Sequence, residues 1–520
     1  MKRTVKFFTL LLACLMLLGS FIACGDTTGT ETKTETPSQG DVPSQGDVPS
    51  STETEELDRA SVKDDLPKDL TFDGETVTFF VRNDHELWKY EMDVDTILND
   101  TLYDAIYYRN KTVEDRLGVT ITTVAQEGTY AKRSSWNDTL RTAVNTKTGD
   151  FDTAAIYLST GSVLAVEGMY YNVIDFPYLN LNKPWWNQSI QDELTLFNTL
   201  YYLAGDIAVT EVANTYCMFY NKDLFEKYYG SEGINLYAEV ADGKWTIDRL
   251  YSLIENVHED LNANGVVDDG DLVGFVTPAP DVLDSNNDAW VAACGIDITT
   301  MVNGVPELTF YSERTVRAFE AVKSLTVSCP GTLAHSGNTY TKFSTGLQMF
   351  MKSNLNTGSS LREMKDRYGV LPMPMLEENQ EGGYATTVVN TASLVTVLSS
   401  LSAGRTELVG ATLELMAAES YKQVTPSYFE IALKTKFAES PEDATMYDLI
   451  LGTIQFSFGY CYSTESIRGG KNAQPVGGLF RMLADDIAKE WEENHDAYEE
   501  NLEKLINGLD EAAFKASYSN

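Results

Sequence analysis

Histidine is scarce in this chain, with four among 520 residues. Because histidine is the side chain that most often titrates near neutral pH, such a chain has few groups suited to acid–base catalysis. His85-Glu86 and His258-Glu259 begin like a zinc-protease motif, but neither continues to the second histidine that the motif needs. The nucleophile elbow GxSxG and the phosphate-binding P-loop do not occur either. These absences argue against an enzyme and leave open a secreted glycan-active hydrolase, whose carboxylate pair leaves no sequence motif.

Basic residues are few as well. The chain has 39 Lys and Arg against 77 Asp and Glu, which gives a formal net charge of −38. A surface this acidic repels phosphate backbones and anionic lipid headgroups. We therefore expect no nucleic-acid partner and no direct attraction to an anionic membrane.

Cysteines are sparse and scattered. Beyond the first 24 residues, four remain: Cys217, Cys294, Cys329 and Cys461. No CxxC pair suggests a metal or redox site, although one or two disulfides are compatible with the spacing. Apolar runs of about 18 residues, the length needed to cross a bilayer, are missing after the amino terminus.

The amino terminus itself is apolar and begins with basic residues. Lys2, Arg3 and Lys6 precede the run FFTLLLACLMLLGSFIAC, which ends at Cys24. Residues 1–23 are therefore predicted to be a secretory signal peptide. FIAC resembles the lipobox of bacterial lipoproteins, in which cleavage leaves Cys24 as a lipidated first residue. Cleavage by an ordinary signal peptidase is the alternative.

A polar segment follows the signal. Residues 24–69 are rich in Thr, Ser, Pro, Gly and acidic residues, and they repeat PSQGDV in tandem. Because such a composition buries too little apolar surface to offset chain entropy, we expect a disordered linker between the lipidated cysteine and a globular body.

The body begins with alternating strands and helices. The pattern predicts three strands, which helical patterns separate: TVTFFV at 76–81, VTITTVA after Gly118 and FDTAAIYL at 151–158. This alternation predicts a parallel sheet covered on both faces. Ligands of such sheets bind at the carboxyl ends of strands, which here means the stretch from Tyr157 to Ser162.

Further along, a set of short motifs becomes recognisable in order. These are LAVEGMYYNV, PWWN, a GD-containing strand crossing, MFYNKDLF, DGKWTIDRL, YGVLPMP and PSYFEIALKTKF. Together they resemble the extracellular solute-binding lipoproteins of carbohydrate-type ABC transporters (solute-binding protein family 1). The resemblance covers nearly all of residues 70–520. It implies a two-lobed α/β fold of the periplasmic-binding-protein-like type (class II), in which each lobe is a mainly parallel sheet flanked by helices and hinge crossings join the lobes.

The same resemblance implies the domain boundaries. Lobe 1 would comprise residues 70–208 with 371–420, and lobe 2 residues 209–370 with 421–520. It also implies the function of a lipid-anchored extracellular receptor that captures a carbohydrate, an oligosaccharide, between the lobes and delivers it to an ABC importer. The implied partners are the small carbohydrate ligand and the transporter permease, and the protein would be a monomer. It would sit on the extracellular face of the bacterial cell membrane, held there by its lipid anchor only.

Sugar binding needs aromatic faces and a few polar groups in a cleft. The candidate ligand-binding residues are Tyr157, Thr160, Ser162, Trp185, Trp186, Asp206, Asn214, Tyr216, Trp290 and Tyr384. The first three lie at a strand end where members of the family contact solute, and Asn214 and Tyr216 begin a crossing. Trp185 and Trp186 form either a stacking platform or part of the core of lobe 1. Asp206 either accepts sugar hydroxyls at the hinge or caps a turn.

One loop matches a calcium-binding pattern. In DLNANGVVDDGD, residues 260–271, oxygen-bearing side chains occupy positions one, three, five, nine and twelve, Gly265 occupies position six, and position seven offers a main-chain carbonyl. The candidate ligands are Asp260, Asn262, Asn264, Val266, Asp268 and Asp271. We expect a structural Ca²⁺ in lobe 2, away from the solute, and no catalytic cofactor. Two alternatives are an acidic surface turn without an ion and a calcium-dependent carbohydrate-interaction module, because the loop resembles that of dockerins, which carry two such loops.

Overall fold

A computed structural model describes residues 59–334, 339–434, 441–463, 466–469 and 474–517. The predicted signal peptide and Cys24 lie outside the described residues, as does most of the predicted linker. The last part of that linker, residues 59–69, contacts the body. Arg116 holds the carboxylate of Asp64 through both of its terminal nitrogens, at 2.6 and 2.7 Å.

Fourteen strands occur in the described residues. They are β1 Glu75–Arg82, β2 Val119–Gln126, β3 Thr153–Tyr157, β4 Tyr216–Asn221, β5 His258–Glu259, β6 Leu272–Thr277, β7 Thr299–Val302, β8 Val305–Leu308, β9 Thr332–Ala334, β10 Gln348–Asn354, β11 Tyr368–Leu371, β12 Ser393–Val397, β13 Arg468–Gly469 and β14 Gln474–Pro475.

The first sheet has the strand order β12-β3-β1-β2. Strand β1 runs parallel to β2 and β3, and β12 pairs with β3 in the antiparallel sense. Every residue of β3 is buried, which explains its continuous apolar run TAAIY. The strands that the sequence predicted near 76–81, after Gly118 and at 151–158 form this sheet.

The second sheet has the order β11-β4-β10-β6-β5, and β9 pairs with β6. Strand β6 is parallel to β10 and β9, whereas β4 is antiparallel to both of its neighbours. This sheet is therefore mixed. Strands β7 and β8 form a separate antiparallel pair, as do β13 and β14.

Eighteen α-helices cover and join the sheets in the described part of the chain. They are α1 Glu86–Tyr90, α2 Thr101–Leu117, α3 Arg133–Thr146, α4 Leu158–Val166, α5 Gln188–Leu194, α6 Val209–Ala213, α7 Lys222–Tyr229, α8 Leu236–Ala241, α9 Ile247–Ile254, α10 Asp288–Ala293, α11 Glu313–Lys323, α12 Thr339–Ser344, α13 Thr357–Ser360, α14 Thr406–Glu419, α15 Thr425–Lys434, α16 Pro441–Gly452, α17 Phe458–Ser463 and α18 Ile487–Ser517.

Local sequence sets the ends of these helices. Asp100 precedes α2, and its carboxylate accepts from the N–H groups of Leu102 and Tyr103. Gly118 ends the same helix with φ near 61°, a left-handed conformation that glycine adopts without strain. The helix thus stops just before β2, which gives the strand–helix–strand unit that the sequence pattern predicts.

The two sheets share one body. Residues 58–520 group as a single compact unit by their contacts, so the division into two lobes at the predicted boundaries stays a prediction. Apolar side chains from both sheets, among them Phe79 of β1 and Phe350 of β10, belong to one continuous buried cluster. The carboxyl-terminal helix α18 also packs on the first sheet's side, because Gly508 lies against Val166 of α4.

The four cysteines beyond Cys24 are all buried and unpaired. Among the described residues, none of the helices is both long enough and apolar enough to cross a membrane.

Candidate functional site

The carboxyl ends of β1 and β3 lie side by side, because the two strands are parallel neighbours. β1 ends at Arg82 and β3 ends at Tyr157. The guanidinium carbon of Arg82 lies 4.6 Å from the centre of the Tyr157 ring. The predicted residue Tyr157 therefore sits at the sheet edge where ligands of α/β proteins bind, next to a cation.

Trp88 completes this arrangement, although it is not among the residues predicted from the sequence. It lies in the short helix α1, and the Arg82 guanidinium carbon is 5.0 Å from the centre of its ring. Its indole N–H donates to the carbonyl of Thr391 at 3.0 Å. Trp88 is partly exposed. The signal that could have identified it is its place six residues after the end of a strand that opens on the binding edge. We call Arg82, Trp88 and Tyr157 the cleft edge.

The charge of Arg82 is enclosed at this edge. Its side chain is 1% exposed, and its Nη2 donates to the Thr391 carbonyl at 2.5 Å. Burial lowers the pKa of Arg82, and the carboxylates of Asp84 and Glu91 act in the opposite direction. A guanidinium keeps its charge even when buried, so Arg82 places a cation beside two aromatic rings.

Tyr216, in the second sheet, is the next predicted residue near the cleft edge. It is the first residue of β4 and is buried, and its hydroxyl lies 3.5 Å from both the Ser285 carbonyl and the Asn286 side-chain oxygen. Burial raises the pKa of Tyr216, and the nearby carboxylates of Asp288 and Asp284 add to the shift. One short segment, residues 387–391, connects the two places: the Thr387 carbonyl accepts from the Tyr216 N–H at 3.1 Å, and the Thr391 carbonyl accepts from Arg82 and Trp88.

Two ion pairs fix the loop that Tyr216 contacts. Arg481 binds the carboxylate of Asp288 at 2.7 and 2.5 Å. Lys352 lies 3.3 Å from Asp284 and also donates to Asn287. All of these side chains are buried, so the loop after the carboxyl end of β6 is held rigidly.

Four other predicted ligand residues are buried as well. Trp290 is fully buried in α10, with the ammonium of Lys352 5.7 Å from its ring centre. Thr160 and Ser162 are buried within α4, and Asn137 donates to the Thr160 carbonyl at 3.1 Å. Asn214 is buried and donates to the Thr210 carbonyl at 2.8 Å, which ends α6. Like Tyr157 and Tyr216, these four side chains meet a ligand only after rearrangement, and their role as ligand residues stays a prediction.

Trp185 and Trp186 also lie in the core. They are 0% and 3% exposed. The indole N–H of Trp186 donates to Glu414 at 2.9 Å, and burial raises the pKa of Glu414 to about 7. A side chain at Gly205 would collide with the Trp185 carbonyl, which explains the glycine of the GD crossing motif. Of the two interpretations of this pair, the structure favours the core.

Asp206 joins several chain segments at the predicted hinge. Its carboxylate accepts from the Thr425 hydroxyl at 2.5 Å and lies 3.5 Å from Arg59, and its N–H donates to the Trp185 carbonyl. Burial raises the pKa of Asp206 to about 6. These partners favour a role in fixing the crossing over a role in holding ligand.

Three cavities of the described residues lie away from the cleft edge, whose residues do not line them. Beside Asp288, Thr387 and Tyr460, next to the Tyr216 loop, there is about 40 Å³ of space, too little for a sugar. Tyr384 lines a separate pocket of about 420 Å³ with Gly243. A groove of about 1090 Å³ lies at the opposite, amino edge of the first sheet, beside Asp152. Arg82 and Tyr157 are themselves buried, so a ligand at the cleft edge requires the surrounding side chains to separate.

The calcium-like loop connects β5 to β6 at the edge of the second sheet. It precedes β6, whereas the loop that contacts Tyr216 follows β6, so the two loops lie at opposite ends of that strand. Asn262 and Asn264 donate to the Asp268 carboxylate at 3.1 and 2.7 Å. The carboxylate of Asp260 accepts from the main-chain N–H of Gly265 at 2.8 Å.

These oxygens partly fit a hard cation. Side chains at positions one, three, five and nine converge, and Val266 at position seven is 63% exposed. The carboxylate of Asp271 instead accepts from the N–H groups of Leu261 and Asp268, at 3.0 Å each. Within the described residues, no cluster of three or more His, Cys, Asp or Glu side chains could hold a metal. A calcium site here would need amide and main-chain oxygens in addition to the carboxylates of Asp260 and Asp268, and the ion stays a prediction.

No protein-family model and no curated protein sequence matches the chain. Solved structures do. A cyclo/maltodextrin-binding protein complexed with maltotetraose has a TM-score of 0.51 at 11% identity, covering 84% of this chain and 97% of its own. The ABC substrate-binding protein Lmo0181 from Listeria monocytogenes, solved with cycloalternan, has a TM-score of 0.49 at 12% identity, covering 84% and 99%. Maltose-bound T. maritima MalE3 has a TM-score of 0.47 at 14% identity, covering 84% and 99%.

At these identities the likeness concerns the fold alone, and the first of the three carries it. The expected likeness to carbohydrate-type solute-binding proteins is confirmed at that level. The chain has the predicted periplasmic-binding-protein-like α/β fold.

Proposed function

We propose that this protein is a lipid-anchored extracellular receptor that captures an oligosaccharide between two lobes and delivers it to the permease of an ABC importer. The observation that carries the proposal is the cleft edge of Arg82, Trp88 and Tyr157, which residues 387–391 connect to Tyr216 of the second sheet. Aromatic faces and a few fixed polar groups are what a sugar site needs. The shared fold with a protein solved with maltotetraose supports the same class of ligand.

The receptor acts by binding and not by chemistry. The buried carboxylates nearest Tyr216 are Asp284 and Asp288, and each is held by a cation, Lys352 or Arg481. An acid engaged in this way stabilises the loop and is poorly placed to exchange protons with a substrate. This arrangement favours a receptor over a glycan-active hydrolase.

Capture requires the two sheets to separate and close again. Arg82, Tyr157 and Tyr216 are buried in the present conformation, so the ligand enters an open form. The ligand shifts the equilibrium only if it interacts better with the closed form than with the open one. Contacts from both sheets to one ligand provide that difference, because opening breaks one set of them.

Anchoring and partners complete the proposal. A diacylglycerol on Cys24 and the polar linker would hold the body at the extracellular face of the membrane, where it meets the permease. The body would act as a monomer and would touch the membrane only through its anchor. A structural calcium ion in loop 260–271 would hold the connection between β5 and β6, at the end of β6 that lies away from Tyr216.

Calorimetric titration with a panel of oligosaccharides tests the function, combined with chromatography of each bound glycan after incubation. Binding in the micromolar range or tighter without any product supports the receptor. Release of shorter products would overturn it in favour of the hydrolase. Binding that vanishes in chelator while the fold persists would favour the calcium-dependent interaction module.

A further inference from the structure

Arg82 has unused hydrogen-bonding capacity. Its Nη2 donates to the Thr391 carbonyl at 2.5 Å and lies 3.5 Å from the Ser393 hydroxyl. Its Nε and Nη1 are buried and have no hydrogen-bond partner in the described chain. A guanidinium offers five N–H donors, and buried donors without acceptors cost free energy. The site therefore holds a cation whose donors are incompletely used.

The other cations of the site are fully engaged. Lys352 binds Asp284, and Arg481 binds Asp288 through two nitrogens. Among the described residues Arg82 forms no direct ion pair. Its closest buried carboxylate, Glu91, accepts from the hydroxyls of Ser393 and Thr210 and reaches Arg82 only through Ser393.

The surroundings of Arg82 suit a ligand that arrives from the cleft. The rings of Trp88 and Tyr157 lie on it, at 5.0 and 4.6 Å from the guanidinium carbon. Trp88 is partly exposed and is held on the short helix α1 by one hydrogen bond to Thr391. Because Trp88 is the partly exposed member of this group, we expect a ligand to reach the Arg82 guanidinium by displacing its ring. Helix α4 begins directly after Tyr157, so its positive amino end adds to the potential at this edge.

We propose that the captured oligosaccharide carries a carboxylate, as uronic acids do, and that Arg82 binds it. This inference rests on the proposed receptor function and names the class of ligand. Nε and Nη1 point to different sides of the guanidinium, so one donates to the carboxylate and the other to a neighbouring sugar oxygen. In a chain with a net charge of −38, an acidic sugar binds only where a local cation outweighs the carboxylates around it. We therefore expect the affinity for an acidic sugar to depend strongly on Arg82.

Calorimetry with the full body tests the ligand class. The probes are trisaccharides of galacturonic, glucuronic, mannuronic and guluronic acid, the methyl ester of each, and neutral trisaccharides of glucose and xylose. We expect at least one acid to bind at least tenfold more tightly than its ester, because esterification removes the charge and leaves the rings. The affinity for that acid falls as salt rises.

Variants assign the effect to Arg82. Arg82→Gln lowers the affinity for the acid about 10- to 100-fold and changes the affinity for the ester little, and Arg82→Lys gives an intermediate loss. The control variant Arg141→Gln also removes one positive charge, from helix α3, where Arg141 pairs with Glu167. We expect it to leave the affinity for the acid unchanged. If Arg82→Gln fails to fold, the comparison of acid with ester on the unmodified protein decides.

Two outcomes contradict the proposal in different ways. Equal affinity for acids and esters, or binding of neutral trisaccharides alone, overturns the acidic ligand and leaves the sugar receptor standing. Absence of binding to every glycan overturns the acidic ligand together with the receptor function.

Discussion

Two pairs of aromatic side chains, Trp185–Trp186 and Trp88–Tyr157, have opposite surroundings. The first pair follows a proline on a loop and is buried against Glu414, 228 residues further along the chain. The second pair encloses a cation at the open edge of a sheet, and one of its rings is partly exposed. Residue type does not separate the two pairs, whereas their position relative to the strand ends does. The first pair should carry stability, and the second should carry binding.

The largest effect should come from the buried pair. Trp186→Ala removes a fully packed indole and leaves Glu414 with only the main-chain N–H of Asn180 as a donor, so we expect a loss of about 3–5 kcal/mol in the free energy of unfolding. Urea denaturation followed by circular dichroism measures it. The folded fraction should bind oligosaccharide with nearly unchanged affinity. A variant of normal stability and lost affinity would reverse the roles of the two pairs.

The calcium-like loop, residues 260–271, is a second region that we expect to affect stability and not binding. If an ion is held there at one hundred times its dissociation constant, it adds about 2.7 kcal/mol to the free energy of unfolding. Chelator should then lower the melting temperature by several degrees and leave oligosaccharide affinity unchanged well below that temperature. Asp268→Asn should abolish the response to chelator. Asp242→Asn, at an acid paired with Lys244 on the surface, should leave it intact. A melting temperature indifferent to chelator would identify the loop as a surface turn.

Much of the fold follows from the sequence, because its signals are local. Continuous apolar runs such as TAAIY in β3 mark strands buried on both faces, and Gly118 ends a helix whatever surrounds it. Likewise Thr246 caps α9 by accepting from the N–H of Arg249. The antiparallel pairings of β4 follow less readily, because they depend on which distant strands become its neighbours.

The candidate site is harder to predict for the same reason, and which residues contact a ligand stays a prediction. Tyr157 is selected because a strand end is a local feature, and Tyr216 because it begins a crossing. Trp88 is not selected, because that requires knowing that Arg82 lies between it and Tyr157. Thr160 and Ser162 follow the same strand end and are buried in the helix that begins there. Distant packing partners, such as Glu414 for Trp186, leave no trace in the local sequence.

Glu414 offers a smaller effect that also tests the buried pair. Its pKa is raised from 4.5 to about 7, mainly by burial, so the folded state binds its proton more tightly than the unfolded state does. The resulting stabilisation is complete below about pH 4.5 and is lost as pH rises through about 7. The loss is at most about 3 kcal/mol. Glu414→Gln keeps an acceptor for Trp186 and should remove this decline, which denaturation at pH 5 and pH 8 measures. A decline that persists in the variant would assign it to other groups.

The smallest change in stability should accompany the clearest change in binding. Trp88→Ala removes a partly exposed ring from a short helix, so we expect the free energy of unfolding to fall by about 1 kcal/mol or less. The same change removes one face of the site and should weaken oligosaccharide binding about tenfold, the equivalent of about 1.4 kcal/mol. Trp88→Phe keeps a ring but loses the hydrogen bond to Thr391, and it should retain most of the affinity. Calorimetry on both variants tests this. If neither variant loses affinity, Trp88 only covers Arg82. If both lose affinity equally, the hydrogen bond to Thr391 matters for binding and the ring does not.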